Sequence, residues 1–195
     1  MRVLCPESSA RFGLLCSKTT RVRSRYFHSS QKMMLDSPPV QPQDFIDVAR
    51  ELLASDKGKP RQAFLRRSVS TLNYALFHAL ARSCADALIG GSNADRSRSA
   101  WTQVYRSLDH GFARQQCSNS RISAFPQEIQ DFANLFATMQ KKRHRADYNP
   151  LERFSKSAVF ADIHQTEAVI KGFKTVAIKD KRAFAAFVLL RARSD

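Results

Sequence analysis

The chain has 195 residues, which is the length of one domain with tails. Hydrophobic residues make up 43% of the chain, and fourteen residues are Phe. This composition can form a core and excludes a fully disordered protein. The net charge of +15 favours polyanionic partners, nucleic acid first, and no apolar run approaches the ~20 residues that a membrane span needs.

Several common kinds of site are missing from the sequence. The four cysteines have neither CxxC nor Cys/His ligand spacing, so they predict no disulfide framework and no metal site. No glycine-rich phosphate loop and no G-x-S-x-G motif occurs, which argues against a nucleotide hydrolase and a serine hydrolase. We therefore expect no cofactor, no metal and no membrane partner.

Residues 1–41 read as a tail and linker that precede a domain at 42–195. Residues 1–32 hold seven Lys or Arg and one acidic residue, Glu7, so they carry a net charge of +6 and leave +9 for the remainder. This composition, ending in residues 25–30, resembles a mitochondrial presequence. The alternative is a disordered tail or a start placed too far upstream, since Met33 or Met34 could begin the chain. The predicted location is cytoplasmic, or mitochondrial if the presequence is genuine.

Residues 60–89 carry apolar residues at spacings of three and four along one side of a long helix. Pro60 suits the first turn of this helix, and Gly90 can take the left-handed conformation that ends it. A helix of this length needs other long helices beside it, which indicates a helical bundle. The same spacing predicts further helices at 42–54, 100–112, 126–149, 157–176 and 180–193, with an exposed polar loop at 115–123.

Residues 141–150 form the most polar stretch of the second long helix. Arg143 and Asp147 are neighbours on a helix surface, and so are His144 and Tyr148. If the two long helices are antiparallel, the end of the second lies beside the start of the first. The residues that this arrangement brings toward Arg143, Asp147 and Tyr148 are Arg66, Arg67, Ser70, Asn73 and Tyr74.

Two motifs resemble the HEPN domain family. Residues 66–79, with two arginines, a small polar residue and then a Tyr-Ala-Leu-Phe-His run, are similar to its first long helix. The Arg-x-x-Ala-Asp-Tyr run from Arg143 to Tyr148, followed by Pro150, is similar to the end of its second. The resemblance implies an all-α bundle of four to five main helices with antiparallel long helices. It also implies a homodimer or a cognate partner protein, and a role in RNA cleavage, toxin systems or defence.

The sequence departs from the family where its ribonucleases need histidine. These enzymes carry an arginine followed after four to six residues by a histidine, a pair that supports metal-free cleavage through the ribose 2′-OH. Asp147 and Tyr148 occupy that region here, and the next histidine is His164 on another helix. A carboxylate lacks the donor of a neutral imidazole and is a weaker base at neutral pH. The resemblance therefore implies the fold better than the reaction.

The leading hypothesis is an RNA-binding or interaction module without efficient catalysis. It uses Lys141, Lys142, Arg143, Arg145, Arg66 and Arg67 for the nucleic acid, with Ser70, Asn73, Tyr74 and His144 as supporting polar residues. The first alternative is a ribonuclease toxin whose altered catalytic site contains Arg143, Asp147 and Tyr148. The second is a scaffold for a nucleotidyltransferase-like or antitoxin protein. Simpler interpretations stay open: a structural ion pair between Arg143 and Asp147, a solvated basic helix face, and His78 as a core histidine.

Overall fold

The computed structural model describes residues 40–54 and 61–191. These residues contain seven α-helices and one 3-10 helix, joined by short connecting segments. This part contains no β-strand, so the predicted all-α class is confirmed. The expectations for residues 1–39, for the start of the long helix at Pro60 and for residues 192–195 lie outside it. The elements are α1 (Pro42–Ala54), α2 (Gln62–Ile89), α3 (Arg98–Arg106), α4 (His110–Cys117), the 3-10 helix η1 (Ser120–Ala124), α5 (Gln127–Tyr148), α6 (Lys156–Thr175) and α7 (Ile178–Leu189).

Helix α2 is the centre of the bundle. It packs against α1, α3, α5, α6 and α7, and 15 of its 28 residues are buried. Residues 68–73 are buried without a break, a run longer than one helical turn, so neighbours surround the helix there. The sequence predicted one apolar side only. Small residues such as Ser68, Ser70 and Ala75 allow the neighbouring helices to approach from the other directions.

Helices α5 and α6 complete the long part of the bundle. Ser70 contacts Asp147 and Tyr74 contacts Arg143, so residue numbers rise along α2 as they fall along α5, and the two helices are antiparallel. The five apolar residues that the spacing assigned to the inner face of α5 are all buried. They are Ile129, Phe132, Ala133, Phe136 and Met139.

The segment between α2 and α5 differs from its prediction. A single helix was expected at 100–112, but α3 ends at Arg106 and α4 begins at His110. The Asp109 side chain accepts a hydrogen bond from the Phe112 backbone N–H at 2.7 Å, so it caps α4 and separates the two helices. The predicted polar loop at 115–123 is mostly exposed, as expected, but it is not irregular: it contains the end of α4 and most of η1, whose residues Cys117 and Ile122 are buried.

Some apolar residues that the spacing placed inside are exposed. Leu88 follows the buried Ala87, and Phe160 follows the buried Val159. Consecutive residues point about 100° apart around a helix, so each lies beside the inward face and not on it. None of the described helices combines the length and apolarity that crossing a bilayer requires.

Gly90 ends α2 with a backbone that other residues rarely adopt. Its φ is 121°, and a Cβ at this position would lie 2.9 Å from the Ala94 Cβ. We expect Gly90→Ala to lower the free energy of unfolding by about 1–3 kcal/mol, measured by urea denaturation. Gly91→Ala is the matched control, because a Cβ there meets nothing within 4 Å, and it should change stability by less than about 0.5 kcal/mol. Equal effects of the two substitutions would contradict the account of this helix end.

Candidate functional site

A carboxylate joins the end of α5 to the beginning of α2. The Ser70 hydroxyl donates to Asp147 Oδ1 at 2.5 Å, and Arg143 Nε donates to Asp147 Oδ2 at 3.0 Å. Both oxygens of Asp147 therefore accept hydrogen bonds from neighbours. The structure brings these three residues together, as the antiparallel arrangement predicted from the sequence requires.

The Arg143 side chain also contacts an aromatic ring of α2. Its guanidinium donates to the Tyr74 hydroxyl at 3.4 Å and lies 5.2 Å from the centre of the Tyr74 ring, within cation–π range. These contacts and the ion pair with Asp147 hold the guanidinium in one place. Arg143 is therefore a pre-positioned cation, with its side chain still about a quarter exposed.

Asn73 lies on the same side of α2 as Ser70 and Phe77. Ser70 is three residues earlier in the helix and Phe77 is four residues later. It is 1% exposed, and neither its amide nitrogen nor its amide oxygen has a hydrogen-bond partner among the described residues. A buried polar group without partners is costly, typically 1–3 kcal/mol. The predicted supporting residue is thus inside the bundle and not on the surface.

Arg66 closes the end of α5. Its guanidinium donates to the backbone carbonyls of Ala146 at 3.0 Å, Pro150 at 3.1 Å and Glu152 at 2.6 Å. The last carbonyls of a helix lack partners within the helix, and Arg66 supplies a donor to one of them, that of Ala146. Pro150 and Glu152 come after α5, so Arg66 also holds the segment that follows the helix. Arg66 therefore has a structural task that the sequence did not reveal. Its neighbour Arg67 is exposed.

The basic run on α5 divides into paired and outward-facing residues. Lys142 Nζ donates to both oxygens of Asp162 on α6, at 2.6 and 2.7 Å. Arg145, with a side chain 56% exposed, lies 3.5 Å from Glu152, and Lys141 is exposed. An exposed ion pair of this kind contributes little to stability. Lys141 and Arg145 thus face solvent, whereas Lys142 binds α5 to α6.

A groove of about 280 Å³ opens between α4 and α5 beside Arg143. We call it the Arg143 groove. The ring centres of His144 and Tyr148 lie 4.9 Å apart at its edge, and Tyr148 is 69% exposed. Arginine and exposed aromatic side chains therefore lie side by side. The lining residues are Gly111, Arg114, Gln140, Arg143, His144 and Tyr148.

His110 lies next to this groove and was not assigned a role from the sequence. Its ring stacks on Phe77 with centres 3.7 Å apart, and its Nδ1 is buried without a hydrogen-bond partner in the described part of the chain. Burial lowers the pKa of His110, and the nearby charge of Arg143 lowers it further, while Asp109 raises it and His78 lowers it. The imidazole is therefore neutral at pH 7.

The groove also contains two residues that sequence reasoning missed. Gln140 donates from Nε2 to the His110 carbonyl at 3.1 Å, and its Oε1 is buried without a partner among the described residues. Gln140 is three residues before Arg143, so helix geometry could have placed it on the same side. Arg114 comes from α4, and nothing in its local sequence connects it to Arg143.

His78, predicted as a core histidine, is half-buried in an aromatic cluster. Its Nδ1 is 2.5 Å from the Tyr105 hydroxyl, and its ring stacks on Phe45 with centres 4.7 Å apart. Burial lowers its pKa. In the described residues no group of three or more His, Cys, Asp or Glu side chains could hold a metal ion.

Comparisons with protein-family models, with curated proteins and with solved structures return no match. The HEPN resemblance, the toxin or defence role and the dimer or protein partner that it implies therefore stay predictions.

The structural role of Arg66 is testable by substitution. We expect Arg66→Ala to lower the free energy of unfolding by about 2 kcal/mol, because it removes the charged donor from one carbonyl in the last turn of α5 and from two in the segment that follows. Urea denaturation measures the loss. Arg67→Ala removes the same charge from an exposed position and should cost less than about 0.5 kcal/mol. Equal stabilities of the two variants would refute the capping role.

Proposed function

We propose that this protein binds single-stranded RNA through the Arg143 groove. The observation that carries the proposal is the pair of exposed rings, His144 and Tyr148, on a groove that also contains Arg114 and Arg143. Unpaired bases stack on aromatic side chains, and each stacked base contributes about 1–3 kcal/mol. Arginines beside the rings can pair with the adjacent phosphates.

The amide of Gln140, in the wall of the groove, favours RNA among single-stranded nucleic acids. Its Oε1 is buried without a partner among the described residues, and a movement of this side chain into the groove would let it accept a hydrogen bond from a ribose 2′-OH, a donor that DNA lacks. Satisfying a buried acceptor recovers a desolvation cost of about 1–3 kcal/mol. Gln140 therefore supplies a physical reason for preferring ribose.

The charge around the groove favours the same partner. Lys141 and Arg145 are exposed on α5, the helix that carries Arg143. Outside residues 1–32 the chain keeps a net charge of +9. Phosphate contacts release counterions, so the proposed binding weakens as the salt concentration rises. For single strands, the logarithm of the binding constant falls against the logarithm of the salt concentration with a slope of about 0.7 per contacted phosphate.

The test is fluorescence anisotropy with a labelled single-stranded RNA at several salt concentrations. Tyr148→Ala should weaken binding about tenfold, the loss of one stacked base, whereas Tyr148→Phe keeps the ring and should bind within about twofold of the parent. Arg114→Gln should weaken binding and reduce the salt slope. Arg106→Gln, the same change at an exposed residue outside the groove, should do neither.

Affinity that is independent of salt would contradict the proposal. Equal effects of Arg114→Gln and Arg106→Gln would also contradict it, because they would show that only the overall charge matters. Equal affinity of Tyr148→Ala and Tyr148→Phe would exclude stacking on Tyr148.

Ribonuclease activity is the second candidate, and the position of His110 favours it. The imidazole stacks on Phe77 beside the Arg143 groove, where burial and then the charge of Arg143 lower its pKa. A neutral imidazole can take the proton of a ribose 2′-OH as its oxygen attacks phosphorus, while a guanidinium stabilises the phosphorane charge. The bond to the 5′-oxygen then breaks, and that oxygen takes a proton from water to leave as a hydroxyl. Asp147 is less suited to the role of base that the sequence suggested, because both its oxygens accept hydrogen bonds.

Incubation of RNA with the purified chain distinguishes the two candidates. A ribonuclease gives products with 2′,3′-cyclic phosphate ends, lost in both Arg143→Ala and His110→Phe, and the latter keeps the stacking on Phe77. Cleavage that survives both substitutions would exclude this site. Binding of RNA without cleavage would exclude ribonuclease activity and support the binding function.

A further inference from the structure

A second cavity, of about 410 Å³, lies toward the other end of α2. Arg82 on its wall is twelve residues after Ser70, or roughly 18 Å along the helix at 1.5 Å per residue. The start of α1, the last part of α2, the end of α6 and the start of α7 enclose it. It shares no lining residue with the Arg143 groove, and its volume is within the range of small-molecule sites.

The floor of this cavity is apolar. Ala79, Ala87, Ile170 and Phe173 line it, and each of these residues is buried in the bundle. Ile178, at the start of α7, is 52% exposed at the same cavity. A ligand with an apolar body would cover Ile178 and remove apolar surface from water.

The rim is cationic. Arg82, Lys174 and Lys181 line the cavity, with Asp86 as its acidic residue. Asp86 already accepts from Arg96 at 2.9 Å and from Trp101 Nε1 at 2.8 Å, and Arg82 lies 3.8 Å from it. Its charge is therefore compensated within the protein. The two lysines are left facing the cavity.

Lys181 is held in place without an anionic partner. Its ammonium donates to the Lys174 backbone carbonyl at 2.8 Å, a neutral acceptor. In residues 40–54 and 61–191 neither lysine has a carboxylate within ion-pair distance. Burial lowers the pKa of Lys181, and the charge of Asp86 offsets this only in part, so the ammonium has lost hydration that Asp86 does not fully replace.

We propose that this cavity binds a small organic carboxylate with an apolar body. The carboxylate accepts hydrogen bonds from Lys174 and Lys181, and the apolar body lies on Phe173, Ile170 and Ile178. The volume corresponds to on the order of a dozen water molecules at about 30 Å³ each, which suits a chain or ring of moderate size. The inference is independent of RNA binding, since the two sites have no residue in common.

The probe is decanoate, titrated below its micelle concentration into the full ¹⁵N-labelled chain and followed by backbone amide shifts. We expect saturable shifts at Ala87, Gly91 and Ile178, which line the cavity. Decanol has the same apolar chain without the charge, and decylammonium has the opposite charge. Both should bind at least about tenfold more weakly, since a charge-assisted hydrogen bond contributes roughly 1.5–3 kcal/mol.

Paired variants locate the carboxylate. Lys174→Gln with Lys181→Gln should weaken decanoate binding about tenfold or more. Lys171→Gln with Lys179→Gln makes the same charge change at exposed residues of α6 and α7 outside the cavity. The decanoate affinity of this variant should stay within about twofold of the parent's. Ser83→Phe fills the cavity from α2 and should abolish the shifts, with circular dichroism confirming the fold.

Three results would overturn the proposal. The first is equal binding of decanoate and decanol. The second is equal loss of affinity in the two lysine pairs, and the third is the absence of saturable shifts at the cavity residues.

Discussion

The antiparallel packing of α2 against α5 is the constraint on which the rest of this structure depends. It places Asp147 beside Ser70, and Arg66 beside the Ala146 carbonyl in the last turn of α5, so residues far apart in sequence hold the end of α5 against α2. The continuous burial of residues 68–73 gives α5 and the other helices a common surface. Without this packing Arg143 would be one more cation on an exposed helix.

The same contacts decide which cations remain available for a ligand. Arg66 and Lys142 are used inside the protein, the first on backbone carbonyls and the second on Asp162. Arg143 is held by Asp147 and Tyr74 but still lines a groove. Binding capacity therefore depends on a pre-positioned arginine, with Arg114 and two exposed rings around it. The basic composition alone would have suggested a more diffuse surface.

Local sequence signals accounted for the long helices, whereas their antiparallel direction was an expectation from bundle topology and from the HEPN resemblance. Spacings of three and four located the inner face of α5, and the pair Arg143 and Asp147 followed from helix geometry. The end of α2 at Gly90 followed from the conformational freedom of glycine. The predictions that failed, and the site residues that were missed, depended on contacts that local spacing does not reveal. Asp109 caps a helix inside an apparently continuous pattern, and His110 lies beside the Arg143 groove only because α4 packs against α5.

The cavities were beyond sequence reasoning for the same reason. Their walls come from several helices, and their chemistry depends on which charges are already paired. Lys174 and Lys181 look like ordinary solvated lysines until Asp86 is seen to be engaged by Arg96 and Trp101. Likewise, nothing in the sequence near Gln140 indicates that its amide oxygen is buried without a partner.

A double-mutant cycle between Ser70 and Asp147 tests the central contact most directly. The free energies of unfolding of Ser70→Ala, Asp147→Ala and the double variant give the coupling energy between the two helices. The structure predicts a coupling of about 0.5–3 kcal/mol, as expected for residues in one hydrogen-bonded network. Additive effects within about 0.3 kcal/mol would mean that the two side chains do not meet, and the antiparallel arrangement of this site would be contradicted.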